Sequence, residues 1–328
     1  MLFGLSAVAA CIGLFGIADQ PWQLDLVRFL QGLASSFSWT GALAWLVAGS
    51  PASRRGALIG QAFATAVGGA LFGPVLGGTA AVAGTGWTFG VVAVASLALV
   101  AWAATMPAAR PDRPQPPSVL IAALRDRRIV TASWLVVLPA LLFGVLSVLA
   151  PLRLSHLGYG SVAIGAVFLT AAALEGVNNV LLGRASDRHG PLRPLLYGLV
   201  GSAVVAAVLP WPADAFALAA LVCCAGLAFG TFFTPAMTLL ANLSEERGLD
   251  YGYTFALVSL AWAPGQTLGA AGGGALAHAT TDAVPYLALA GTCLLTLSWL
   301  WPSRHSTAWT TASATSSNGL SRATTAAD

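Results

Sequence analysis

Gly183-Arg184-Ala185-Ser186-Asp187-Arg188-His189-Gly190 stands between two apolar runs, residues 162–182 and 192–210. A charge at the centre of a bilayer costs roughly 2.5–3.5 kcal/mol even on lenient scales. Two arginines and an aspartate between spanning helices therefore mark a place where the chain leaves the hydrocarbon. The octapeptide reads as a short surface loop and its neighbours read as membrane spans. Composition agrees: 57% of the 328 residues are hydrophobic and 8% charged, with a mean hydropathy of +0.79, whereas a soluble domain carries about a quarter charged residues. The expectation is an all-α membrane protein, a polytopic bundle with the lipid bilayer as its first partner.

A helix crossing the hydrocarbon needs about 20 mostly apolar residues. Ten such runs follow one another, at 2–18, 24–48, 58–82, 87–106, 129–151, 162–182, 192–210, 215–241, 254–277 and 284–301. Lysine is absent, and thirteen of the 15 basic residues, all arginines, fall in loops on one side of these runs or in the tail. Positively charged short loops stay in the cytoplasm, so that side is the inner one and both termini are expected there, with the protein multi-pass in the cell's inner (plasma) membrane. Arg153 alone faces outward, and Arg28 alone lies within a span. Trp22, Trp87 and Trp211 flank outer turns, where amphipathic rings favour the headgroup layer.

The runs divide into a four-helix N-terminal half, 1–106, and a six-helix C-terminal half, 129–301, joined by a proline- and arginine-rich cytoplasmic linker, 107–128. Residues 302–328 are Ser-, Thr- and Ala-rich and read as a disordered cytoplasmic tail. Cys11, Cys223, Cys224 and Cys293 lie inside apolar runs without ligand spacing, as small packing residues do, so no metal site is expected. His156, His189, His278 and His305 are scattered. There is no Walker-type glycine loop and no nucleophile–base pair, which argues against an enzyme, and no basic patch that would take nucleic acid.

The two halves repeat. Phe63-Ala64, Gly73 and Gly77 align with Phe255-Ala256, Gly265 and Gly269 at an offset of 192, and Arg55-Gly56 aligns with Arg247-Gly248 at the same offset. Gly32-Leu33-Ala34 matches Gly226-Leu227-Ala228 at 194. Internal repeats of this length are a mark of transporter folds. At 192, Arg193 corresponds to Met1, so a twin of the charged loop falls just before the first residue.

Three motifs in order resemble the major facilitator superfamily, and within it the drug/proton antiporters. Gly183-Arg184-x-x-Asp187-Arg188-x-Gly190 is similar to the family's charged loop motif. Arg28-x-x-Gln31-Gly32 is similar to its arginine motif. Gly69-x-x-x-Gly73-Pro74-x-x-Gly77-Gly78 is similar to the antiporter motif, with an echo at Pro264-Gly265-x-x-x-Gly269. The resemblance implies twelve helices in two six-helix halves. Ten are counted here, four plus six, so the first two family helices are expected to be lacking. It also implies alternating access, small hydrophobic or drug-like substrates and a proton gradient in place of a cofactor. The rival expectation is an N-terminally truncated, non-transporting membrane fragment, monomeric unless the shortened bundle dimerises.

Each candidate residue carries two readings. Gly69, Gly73, Gly77 and Gly78 let helices approach, and Pro74 frees a backbone carbonyl and permits a kink. The segment is either the export-associated seal between halves or plain small-residue packing. Gly183, Arg184, Asp187, Arg188 and Gly190 form either a latch that breaks as the halves rock or a solvated turn. Glu175, with Asn178 and Asn179 at i+3 and i+4, shares one helix face in an apolar run. An ionised carboxylate there is costly, so Glu175 is either a proton-exchanging group or hydrogen-bonded glue between helices. Arg28 and Gln31 face a cavity by resemblance, while snorkelling explains Arg28 equally. Phe229, Phe232, Phe233 and Met237 make either an adaptable apolar substrate pocket or ordinary packing.

Overall fold

The apolar runs fold into helices, and no strand occurs among the described residues. The structure is a computed structural model that describes residues 1–48, 62, 65–66, 68–69, 72–107, 115–189 and 192–300. Its helices are α1 Leu2–Ile17, α2 Pro21–Ala48, α3 Phe72–Ala83, α4 Thr85–Ala104, α5 Pro117–Ala123, α6 Arg127–His156, α7 Ser161–His189, α8 Leu192–Val208, α9 Ala215–Glu246, α10 Tyr251–Ala279 and α11 Ala283–Leu300. Except for the short α5, each coincides with one expected run, α3 covering the end of the third. Among the described residues, five helices are long and apolar enough to cross a membrane: Thr85–Ala104, Arg127–His156, Ser161–Asn179, Ala215–Glu246 and Ala283–Leu300. Two further apolar helices, α1 and α8, are shorter.

The charged octapeptide is a correction. Residues 183–189 continue α7 as helix rather than forming a loop, and Gly190 lies outside the described residues. No proline interrupts them, and 29 helical residues extend about 43 Å, well beyond the roughly 30 Å hydrocarbon core. The charges can thus leave the hydrocarbon while the backbone stays hydrogen-bonded as helix.

Two compact units result: Met1–Pro117 with Asp250–Ser259, and Ser118–Leu249 with Leu260–Asp328. In the first, α1 lies against α2 and α4. Gly4 sits directly on the α2 backbone at Ala34 and Ser38, and Gly16 meets Phe89 of α4. Phe15 and Phe89 pack edge to face with centroids 4.9 Å apart. Trp45 Nε1 donates to Pro107 O at 3.0 Å.

In the second unit α6 is the buried helix: Ile129, Leu135, Val136, Leu138, Leu142 and Leu154 are almost wholly enclosed. Around it, α9 touches α6, α7 and α8, and α11 touches α8 and α6. Trp134 Nε1 donates to Thr296 Oγ1 at 3.1 Å, tying α6 to α11. Helix ends are capped by side chains the sequence supplies. Asp126 accepts from Arg128 N at 2.9 Å and Asp214 from Ala217 N at 2.8 Å, each satisfying a donor that a helix start leaves over. Gly158 and Gly248 adopt φ of 92° and 69°. Tyr159 N reaches Leu154 O and Leu249 N reaches Ser244 O, both at 2.9 Å, the paired closure that a left-handed residue after a helix permits. Arg153, the outward arginine, donates to Pro210 O, and to Pro212 O at 3.0 Å, so it satisfies carbonyls just beyond the end of α8. Asp126 also pairs with Arg247 at the end of α9.

Large apolar side chains cover the outer faces. Phe3, Ile17, Trp87, Val162, Phe216 and Leu295 are each more than two-thirds exposed. Apolar surface on that scale is what a bilayer, and not water, covers.

Candidate functional site

The polar residues of α7 meet α9 along a seam built by two glycines. A Cβ on Gly226 would lie 3.1 Å from Ala171 O, and one on Gly230 would lie 2.7 Å from Glu175 Cγ and 3.2 Å from Glu175 Oε1. Gly226-x-x-x-Gly230 thus lets α7 close on α9, the small-residue device that drives helix association where lipid supplies no hydrophobic force. One turn on, Asn178 Nδ2 donates to Thr231 Oγ1 at 2.8 Å and to Leu227 O at 3.3 Å. Thr234 Oγ1 donates to Asn179 Oδ1 at 2.8 Å, and Asn179 stands one turn from Glu175 on the same face of α7. Asn178 and Asn179 therefore form one ladder with Thr231 and Thr234, and the half-buried Glu175 lies next to it against Gly230.

The aromatic residues of α9 diverge. At 100° per residue, Phe229 and Phe233 share a face, and Phe232 points elsewhere. Phe229 is fully buried, edge-on to Phe143 of α6 at 5.5 Å. Phe233 lies 4.5 Å from the Trp262 ring of α10, and Trp262 lies 6.0 Å from Phe143. Beside this cluster is a cavity of about 400 Å³ lined by Ser147 of α6 and by Trp262, Ala263, Gln266, Thr267, Ala270 and Ala271 of α10. Trp262 Nε1 donates to Gln266 Oε1 at 3.0 Å. That volume falls in the lower range of small-molecule sites, about 300–1,000 Å³. Phe232 is buried instead at the α8–α9 contact, where a Cβ on Gly198 would lie 2.6 Å from its own Cβ. Met237 is half-buried.

In the first unit, Arg28 is exposed on α2, with its guanidinium carbon 4.3 Å from the centroid of the Phe15 ring and Nη1 donating to Gln31 Oε1 at 3.0 Å. Arg28 and Gln31 are therefore brought together with Phe15 and Phe89. Gly69, Gly73, Gly77 and Gly78 are half-exposed or exposed, and a Cβ on any of them meets no described heavy atom within 4 Å. Pro74 is helical within α3. The echo in α10 is close-packed: a Cβ on Gly265 would lie 2.9 Å from Val137 O, one on Gly269 2.3 Å from Leu141 O, and one on Gly273 2.6 Å from Val145 Cγ2. Gly183, Arg184, Asp187 and Arg188 occupy the last turns of α7.

Sequence reasoning passed over Gly230, Thr231, Thr234, Phe143, Ser147 and Gln266. The Gly226–Gly230 spacing was a visible signal for the seam. Nothing in the sequence ties Phe143 to Trp262, which lie on separate helices.

In comparison with known families, the model of the Major Facilitator Superfamily matches residues 1–265 and, in a second alignment, 147–325. No curated protein matches the chain.

Proposed function

From the premise that this chain belongs to the major facilitator superfamily and is a membrane transporter, we propose that it exports small hydrophobic, drug-like compounds in exchange for protons, by alternating access. In this reading the ten apolar runs are ten spans of the inner membrane, with both termini cytoplasmic. The proton gradient is the energy source, and no cofactor is needed.

The observation that carries the reading is Glu175. It is a carboxyl set in an apolar span, packed against Gly230 with Asn179 one turn on, and no arginine pairs with it among the described residues. A group so placed serves a carrier by taking up a proton in one state and releasing it in the other, and intramembrane carboxyls commonly mark proton relays. Asn179 and Thr234 hold the carboxyl in orientation, so its protonation is felt at the α7–α9 contact. Arg28 and Gln31 attend proton movement in the first unit. Substrate enters the cavity beside Trp262 and Phe233, where ring faces take apolar groups and Gln266, Ser147 and Thr267 offer polar contacts. The charged end of α7, Gly183 to Arg188, serves as the inner latch.

The test is efflux of a lipophilic dye by inverted vesicles energised with a proton gradient. The wild-type protein moves dye and collapses with uncoupler. Glu175→Gln, which keeps shape and hydrogen bonding, loses gradient-driven transport while still binding dye. Unchanged gradient-driven transport in Glu175→Gln sinks the coupling assignment.

A further inference from the structure

A second recess lies elsewhere in the same unit. It has a volume of about 330 Å³ and is lined by Asn178 of α7, Tyr197, Gly198 and Gly201 of α8, and Cys224, Leu227, Ala228 and Thr231 of α9. Helix geometry separates it from the aromatic cavity. At 100° per residue, Cys224, Leu227, Ala228 and Thr231 centre on the face of α9 roughly opposite Phe229 and Phe233. Its rim is open and apolar: Tyr197 is 76% exposed, and Val200 and Val204 follow on the same helix at 43% and 57%. Asn178 lies five residues before Gly183, where the charged stretch of α7 begins, about 7.5 Å along the axis, which is still inside a hydrocarbon core about 30 Å thick.

Asn178 brings one unused polar atom to this recess. Asn178 Nδ2 makes both of its donor bonds, to Leu227 O and Thr231 Oγ1. Thr231 Oγ1 spends its proton on Leu227 O at 2.6 Å. Asn178 Oδ1 accepts nothing among the described residues, and it is not sealed off in the protein interior. An amide oxygen facing hydrocarbon with no donor is costly. Water is scarce inside the hydrocarbon, and a donor can come from a molecule that dissolves in the membrane. A cation would need a counter-charge, and none lines the recess.

We propose that this recess between α7, α8 and α9 binds an uncharged amphiphile, a hydrocarbon bearing one hydroxyl. The hydroxyl donates to Asn178 Oδ1 and the chain lies along Gly198, Gly201 and Ala228 under Tyr197. Gly201 leaves the space: a Cβ on it would meet only Ala228 Cβ, at 3.7 Å. Asn178 adjoins the Glu175 ladder, so occupancy braces the α7–α9 seam from its lipid side. The proposal does not depend on what the protein exports or on its coupling ion.

The test is photolabelling of the full chain in nanodiscs with an octanol that carries a diazirine on its chain, with adducts mapped by mass spectrometry. Expected are adducts concentrated on Tyr197, Cys224 and their helical neighbours, suppressed at least fivefold by excess unlabelled octanol. Asn178→Leu lowers them roughly fivefold, the scale of one hydrogen bond lost. Gly201→Leu, which fills the recess and leaves the Asn178 bonds to α9 intact, abolishes them. Both variants are read beside circular dichroism and gel filtration, and Gly201→Leu decides if Asn178→Leu fails to fold. A diazirine octane without the hydroxyl labels these positions no more than other lipid-facing ones. The proposal is overturned if labelling spreads evenly over exposed apolar residues, if octanol does not compete, or if the octane probe labels the recess as strongly, which is the result a lipid acyl chain would give.

Discussion

Gly269→Ala is the sharpest perturbation of this fold. A Cβ built on Gly269 falls 2.3 Å from Leu141 O and 2.9 Å from Leu141 Cα, both backbone atoms of α6. Ordinary contact begins near 3.4 Å, so α10 must withdraw by about 1 Å. A gap of 0.5–1 Å forfeits a quarter to a half of each dispersion contact, and Gly265 and Gly273 of α10 meet α6 on the same face. Overpacking costs typically about 1–3 kcal/mol. The upper part of that range applies here because a backbone cannot rotate away. At about 2–4 °C per kcal/mol for a unit of this size, the melting temperature in mild detergent should fall by about 4–12 °C. Gly144→Ala faces Gln266 O at 2.4 Å and Ala270 N at 2.8 Å and should fall as far. Gly273→Ala meets Val145 Cγ2 at 2.6 Å, the end of a side chain that can turn, and should lose less. Gly272→Ala meets nothing within 4 Å and should melt with the wild type. The reasoning is refuted if Gly269→Ala and Gly272→Ala melt together.

Three further outcomes test separate contacts. Trp262→Ala removes ring contacts to Phe143 and Phe233, each worth about 0.5–1.5 kcal/mol beyond area, and should raise the half-saturating concentration of an aromatic dye roughly tenfold, with Trp262→Phe recovering most of it. Phe232→Ala should leave dye affinity alone and instead destabilise by about 3–5 kcal/mol, read from thermal melting, because its ring fills the α8–α9 contact. Asp126→Ala removes the α6 cap and the Arg247 partner together, and should cost about 0.5–2 kcal/mol, measured by denaturant unfolding, with Arg247 itself contributing little because it is half exposed.

What was legible in the sequence divides along a physical line. Helices were legible because a run of apolar residues bounded by Pro, Gly or Asp has few other solutions in a membrane. Their ends were not. The sequence marks where the chain leaves hydrocarbon, at Gly183 or after Ala241, whereas the hydrogen-bonded helix runs on to His189 and Glu246. The shared face of Glu175, Asn178 and Asn179 followed from spacing alone, but its partner did not, since Thr231 and Thr234 come from 53 and 55 residues away. The phenylalanines show the opposite limit. Adjacent in sequence, Phe232 and Phe233 are turned 100° apart by the helix, so one fills a helix contact and the other meets Trp262.

The seam between α7 and α9 is close enough to be stable and weak enough to be worked. Three interhelical hydrogen bonds hold its polar part: Asn178 to Thr231, Asn178 to Leu227 and Thr234 to Asn179. In bilayers such bonds average about 0.6 kcal/mol each, so the ladder contributes about 2 kcal/mol. Moving one elementary charge through a potential of 100 mV releases about 2.3 kcal/mol. On the proposed coupling role of Glu175, one proton crossing the whole membrane supplies about as much free energy as the ladder contributes. A tighter device, such as an arginine locked to the carboxylate, would exceed that drive and hold the helices in one state. Amides and hydroxyls around a lone glutamate, over a glycine seam, are the weaker choice, and in a carrier that must open and close the weaker choice is the one that cycles.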